Sequence, residues 1–222
     1  DAYGWTKDLF QARSENERLR AENELLRQQV IQNESALQQN VVLRQLLEYR
    51  DAPSFPADFD PVAAEVVSQP SSAFEQEIVV SAGSDDGIAV DAPVVTAEGF
   101  VGTVTRVTGS AARVRLLTDR SSAVSAVDLR TGSTGIVRPG PVGESLILDR
   151  VRKDDNVRVG DEIITSGWRA GPLASLYPKG ITIGRVSFVG QISTDLYQNV
   201  LLVSDVDFSD LDSVLVLVPR RS

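Results

Sequence analysis

Apolar residues recur along the first 50 positions with an alternating spacing of four and three. Trp5, Ala12, Leu19 and Leu26 fall at d, and Leu9, Asn16, Asn23, Val30 and Leu37 fall at a, which is the heptad period of a coiled coil. The segment holds a single glycine, Gly4, and no proline, so it reads as one helix. From Trp5 to Glu48 that helix is roughly 65 Å long at about 1.5 Å per residue. The same frame puts Asp8, Glu15 and Glu22 at g and Arg13, Arg20 and Arg27 at e. Each acidic g residue therefore meets a basic e residue of the next heptad across a parallel partner, as Glu15 would meet Arg20 and Glu22 would meet Arg27. Asn16 and Asn23 at a lower stability but select a two-stranded pair in register. A solitary amphipathic helix is the competing reading, and it leaves the charge matches unexplained. Beyond Leu37 the frame fails. Asn33 and Asn40 fall at d, Arg44 at a, and Val41, Leu43 and Leu46 lie off the seam. There the helix is expected to leave its twin and pack on the rest of the chain or on another protein.

After residue 50 the pattern changes from a period of three to four into short alternating or apolar runs. Pro53, Pro56 and Pro61 interrupt any helix, and residues 51–61 read as a stiff, extended linker. About a dozen strand-like runs follow, beginning with 62–68 and ending with 214–218, separated by turn signals such as Asp86-Gly87, Thr131-Gly132 and Lys179-Gly180. Strands at this spacing make sandwiches or barrels. The run Asp91 to Thr96 followed by Gly99-Phe-Val-Gly102-Thr-Val104 is similar to Asp161 to Thr165 followed by Gly180-Ile-Thr-Ile-Gly184-Arg-Val186. Each copy then continues to a strand ending in Asp119 or Asp205. A repeated unit of this kind predicts two related small barrels, assigned to residues 62–120 and 121–218 with exchange of strands between them left open, and a tail at 219–222. The second copy carries an insertion, 168–178, in which Trp168 and Tyr177 are candidate contacts for a partner. The same rings could instead fold back over a barrel end.

Composition narrows the chemistry. The chain of 222 residues has no His and no Cys, which removes thiol catalysis, His-dependent triads, disulfides and imidazole or thiolate metal sites. A net charge of −9 argues against nucleic acid. The first 50 residues carry 7 basic and 8 acidic groups, so the excess acidity lies in the β-rich part. No run of about 18 apolar residues is present. The absence of Met, with Asp1 first, is read as the removal of an upstream segment that could hold a membrane anchor. Asp205, Asp207, Asp210 and Asp212 invite a calcium reading, but an EF-hand loop counted from Asp205 has Asp210 where Gly is required and Val216 where Glu is required. A solvated turn is expected instead. Nothing in the spacing sets two carboxylates at glycosidase distance, and neither Lys153 nor Lys179 lies in a Ser-x-x-Lys motif. No cofactor is expected.

A coil followed by Gly-x-x-Gly-x-x-Val hairpins, the phrase Gly160-Asp-Glu-Ile-Ile-Thr-Ser-Gly167, then Pro178-Lys-Gly-Ile-Thr-Ile-Gly-Arg-Val186 and a final strand from Asp205 to Val218, resembles the MreC family of rod shape-determining proteins along nearly the whole chain. The resemblance implies a mainly β fold, two small barrels like the halves of a chymotrypsin-like protease behind a coiled-coil helix. It implies a single-pass protein of the bacterial inner membrane, anchored by a missing N-terminal helix, with this chain on the periplasmic side. It also implies a non-catalytic scaffold for lateral peptidoglycan synthesis, a homodimer or larger assembly, partnered by a penicillin-binding transpeptidase, MreD, RodA and MreB. Barrel edges left unclosed would offer a route to filaments. Two other functions compete: a periplasmic adaptor of a transport system, which usually inserts a two-helix hairpin within the β-region, and a carboxylate-based hydrolase of wall glycan.

Overall fold

The computed structural model describes residues 2–70, 76–140, 145–167, 169–170, 173–174, 177–190 and 196–220, with side chains placed outside 2–14, 169–170 and 173–174. Helix α1 (Ala2–Asp51) is unbroken, as a segment without internal proline permits. It divides between two compact units, residues 1–44 and 45–222. No described helix is long and apolar enough to cross a membrane.

In the second unit the last turns of α1 join the β-region. Leu46 is buried, and the ring of Tyr49 meets Phe55 edge to face at 5.7 Å. The proline-rich segment is not an extended linker. Ala52 donates to Tyr49 O, Phe55 to Ala52 O and Phe59 to Pro56 O, so the chain winds through successive turns that tuck Phe55 under the helix end. Apolar contact outweighs the stiffness of three prolines. Pro61 lies inside a strand, opposite Leu217, where that strand has a neighbour on only one side and its missing N–H costs no ladder bond.

The strands are β1 (Phe59–Ser68), β2 (Glu77–Val80), β3 (Pro93–Val95), β4 (Phe100–Val107), β5 (Ala112–Leu116), β6 (Val124–Asp128), β7 (Thr134–Pro139), β8 (Leu146–Asp149), β9 (Glu162–Thr165), β10 (Arg169–Ala170), β11 (Leu173–Ala174), β12 (Thr182–Gly190), β13 (Asn199–Val203) and β14 (Ser213–Pro219). They close two six-stranded antiparallel barrels, in the orders β1-β14-β3-β4-β5-β2 and β12-β13-β8-β7-β6-β9, while β10 and β11 form a hairpin in the insertion. Inward positions carry branched and aromatic residues, Phe100, Val114 and Leu217 in the first barrel and Leu148, Ile163 and Leu202 in the second. In each closed order every strand has two neighbours, although over Phe59–Glu65 β1 pairs only with β14 and meets β2 only at Val66 and Ser68.

Read from β7, the second barrel runs β7-β6-β9-β12-β13-β8, which corresponds strand for strand to the order β1-β14-β3-β4-β5-β2. The hairpin β3-β4 thus occupies the place of β9-β12. Val104 and Val186 each stand at the start of a bulge against the next strand. Gly102 and Gly184 are equivalent as well: a Cβ would lie 2.1 Å from Arg115 O in the first barrel and 2.3 Å from Val203 O in the second. The repeated glycine is imposed by strand approach. The sixth strands are exchanged between the copies. β6 follows the first five strands in sequence yet completes the second barrel, and β14 returns to close the first. The assignment of 121–218 to the second barrel, with exchange of strands left open, is corrected accordingly: exchange occurs, and residues 213–219 belong to the first.

Candidate interaction surfaces

The heptad seam lies on open surface in the single chain. Leu19, Leu26, Val30 and Leu37 are each more than half exposed, and Asn16, Asn23, Glu15, Arg20, Glu22 and Arg27 are exposed beside them. The side chain of Leu9 lies outside those described. Within one helix Glu15 reaches Arg18 at 3.8 Å, an exposed pair of little energetic weight. Such a Leu stripe on a helix with no buried face over residues 15–41 is unfavourable without a second surface to cover it.

In the insertion, Trp168 lies outside the described residues. Tyr177 is half-buried at the junction of the barrels: its ring stands edge to face on Phe100 at 5.3 Å, and its hydroxyl accepts a hydrogen bond from Thr103 Oγ1 at 3.1 Å. The base of the loop is pinned by Thr165, whose hydroxyl donates to Pro178 O and accepts from the Ile181 amide at 3.0 Å. Tyr177 thus packs a second-barrel loop onto the first barrel, and Phe100 and Thr103 beneath it carried no distinguishing sequence signal.

An ion-paired knot fixes one end of the second barrel. The β6-β7 turn is set by Asp128, whose Oδ1 accepts from the amides of Arg130 at 2.8 Å and Thr131 at 3.0 Å. This turn aims Arg130 at Asp161, and the guanidinium binds both carboxylate oxygens, at 2.7 and 2.6 Å. The Arg158 amide adds a third bond to Asp161 at 2.7 Å. The hydrogen bond from Arg130 holds the Asp161 carboxyl down to about 2, against an opposing push from burial. A carboxyl whose folded value is depressed stabilises the fold above its ordinary value, and that contribution is lost as pH falls through about 4 toward 2. Asp161→Asn is expected to cost about 1–2 kcal/mol at neutral pH, discounted because Arg130 is partly solvated, and to flatten the acid limb of the stability curve between about pH 4 and pH 2. Urea unfolding at stepped pH measures both effects. An unchanged acid limb would remove the knot from the account.

The terminal acidic cluster is a turn. Asp205 pairs with Arg185 at 2.8 Å, and Asp207 accepts from the Ser209 amide at 3.0 Å and from its hydroxyl, which lowers its pKa. Among the described residues no group of three or more carboxylates is placed to hold a metal ion.

Comparison with known proteins agrees with this architecture. The chain is 32% identical over 212 residues to the cell shape-determining protein MreC of Caulobacter vibrioides, covering 90% of the chain and 58% of that relative. It therefore spans little more than half the length of that protein. A solved structure of MreC matches with a TM-score of 0.72 and 28% identity, over 82% of the chain and 99% of its own length. A complex between penicillin-binding protein PBP2 and MreC from Helicobacter pylori shares the fold, with a TM-score of 0.55 and 14% identity over 71% of the chain and 98% of the solved one. The family profile of the MreC barrel core, a rod shape-determining protein, matches residues 66–218, which include both closed barrels from the end of β1 to β14, and the chain belongs to that family.

Proposed function

We propose that the chain is a non-catalytic scaffold of cell elongation, which organises the enzymes of lateral peptidoglycan synthesis and so maintains rod shape. The observation that carries this reading is the uncovered heptad seam, an apolar stripe more than half exposed at Leu19, Leu26, Val30 and Leu37. Covered by the same stripe of a second copy, it joins two pairs of barrels in a parallel dimer. Geometry is then the mechanism. The coil holds the barrels away from the membrane, on the periplasmic side of a single-pass inner-membrane protein, and the barrel surfaces receive a penicillin-binding transpeptidase, the class of partner present in the Helicobacter pylori complex. MreD, RodA and MreB complete the set of partners implied by the family. With no His or Cys in the chain, a pair of protease-like barrels has no triad to operate.

The test combines two measurements on the purified chain. Surface plasmon resonance against a purified elongation transpeptidase is expected to show saturable binding, and incubation with peptidoglycan is expected to release no soluble fragments. Fragment release would replace the scaffold with a hydrolase. Absence of binding by both the dimeric chain and a monomeric variant would remove the transpeptidase from the list of partners.

A further inference from the structure

We propose that a polar cleft on the second barrel is a binding site for a carboxylate-bearing saccharide. The cleft is open to solvent and has a volume of about 620 Å³, within the size range of small-molecule sites. One wall is the β6-β7 hairpin, with the hydroxyls of Ser125 and Thr134. The other is the loop from Arg150 to Asp155 together with the exposed ring of Tyr197, and an antiparallel bridge between Arg152 and Tyr197 joins these last two.

Charge identifies the ligand class. In a chain of net charge −9, Arg130, Arg138 and Arg185 each reach a carboxylate, whereas neither Arg150 nor Arg152 has an ion-pair partner among the described residues. Both line the cleft. Asp155, the acidic residue of the lining, directs Oδ2 to the Arg152 amide at 3.0 Å, and two guanidiniums against one carboxylate leave the lining positive. Guanidinium binds carboxylate with matched geometry, hydroxyls suit a polyol, and a tyrosine ring packs on the apolar face of a sugar. An inorganic anion needs neither the volume nor the ring. A nucleic acid needs a basic stripe that the chain lacks.

The charged loop is held in place before any ligand arrives. Gln198 is buried, 5% exposed, and its side-chain amide donates to Arg152 O at 2.8 Å and Asp155 O at 2.6 Å, with a longer contact to Lys153 O, while its backbone amide donates to Val151 O at 2.9 Å. Arg150 itself sits at φ 65°, a left-handed conformation that disfavours any residue with a Cβ and that persists where surrounding structure enforces it. A loop fixed in this way loses little entropy on binding. Gln198 acts here as a positioning residue.

The site does not depend on the scaffold reading, and its test is separate. The full chain is titrated by calorimetry with the disaccharide N-acetylglucosaminyl-N-acetylmuramic acid, with N,N′-diacetylchitobiose as the matched sugar lacking the carboxylate, and with inorganic phosphate. The acidic disaccharide is expected to bind at least tenfold more tightly than either control. Arg150→Gly combined with Arg152→Gln is expected to weaken it at least tenfold without lowering the melting temperature, because glycine relieves the left-handed backbone at position 150. Gln198→Leu is expected to weaken the acidic disaccharide while the arginines remain, which separates loop positioning from charge. Equal affinity for chitobiose, equal affinity for phosphate, an unaffected double variant, or no binding at millimolar disaccharide would each overturn the proposal.

Discussion

Leu19→Asp combined with Leu26→Asp is expected to convert the proposed parallel dimer to a monomer in sedimentation velocity. Each substitution removes a seam leucine from both helices and places two carboxylates opposite each other. Loss of a buried leucine costs about 2–5 kcal/mol in well-packed interiors, so four leucines per dimer raise the dissociation constant more than about a thousandfold even at the low end of that range. The control is as informative as the variant. Leu25 and Ile31 are 56% and 66% exposed, as accessible as the seam residues, but they fall outside a and d. Leu25→Asp is therefore expected to leave the dimer intact. If Leu25→Asp dissociated the dimer and the double variant did not, the heptad frame would be wrong. Asn16 and Asn23 test the same frame from the other side, since replacing both with Val should tighten association while admitting other oligomers.

Deletion of residues 213–222 is expected to unfold the first barrel and spare the second. Strand β14 pairs with β1 over seven positions, from Phe59 opposite Pro219 to Glu65 opposite Ser213, and with β3 through Leu215 and Val216. Its Val214, Leu215, Val216 and Leu217 are all buried. Removing it strips the core of the first barrel and opens two strand edges, a loss far beyond the roughly 5–15 kcal/mol that stabilises a domain. The second barrel draws its six strands from residues 124–203 and needs nothing from β14. In a 1H-15N correlation spectrum the dispersed resonances of residues 59–116 should collapse while those of 124–203 persist. Retention of both sets would show that the closing strand is dispensable.

The exchange that makes this deletion so damaging is left open by the sequence for an identifiable reason. Both sixth strands, Val124 to Asp128 and Ser213 to Pro219, are short apolar runs after a turn, and each follows five strands of the same repeat. Adjacency along the chain favours pairing β6 with the barrel it leaves, and only the closure of two complete ladders decides otherwise. The repeat itself was legible, because strand approach demands a residue without Cβ and Gly102 and Gly184 record that demand at equivalent places. The proline-rich segment shows the opposite failure. Pro53, Pro56 and Pro61 favour an extended chain, but Phe55 has a ring to bury and Tyr49 is there to receive it. Local stiffness yielded to tertiary contact.

The candidate sites divide along the same line. The coil seam is local, since a helix places residues three and four apart on one face whatever else the chain does, and the a, d, e and g pattern from Leu9 to Leu37 needs no tertiary information. The loop from Arg150 to Asp155 is not local. Its arginines become a site through Gln198, more than 40 residues away in sequence, and through a wall of hydroxyls contributed by β6 and β7. From its place in an apolar insertion Tyr177 suits either a partner contact or packing back on a barrel, and the fold sets its ring against Phe100, 77 residues earlier, at the junction of the barrels.

By itself the sequence determined the helix with its heptad frame, the all-β remainder, the twofold repeat and the absence of His and Cys chemistry, because each depends on residue type or on spacing within one element. Tertiary structure decided which strand closes which barrel, whether any edge stays open, and which distant side chains share a surface. Those outcomes depend on pairings between elements, and strands with the same pattern of apolar residues do not encode their partners locally.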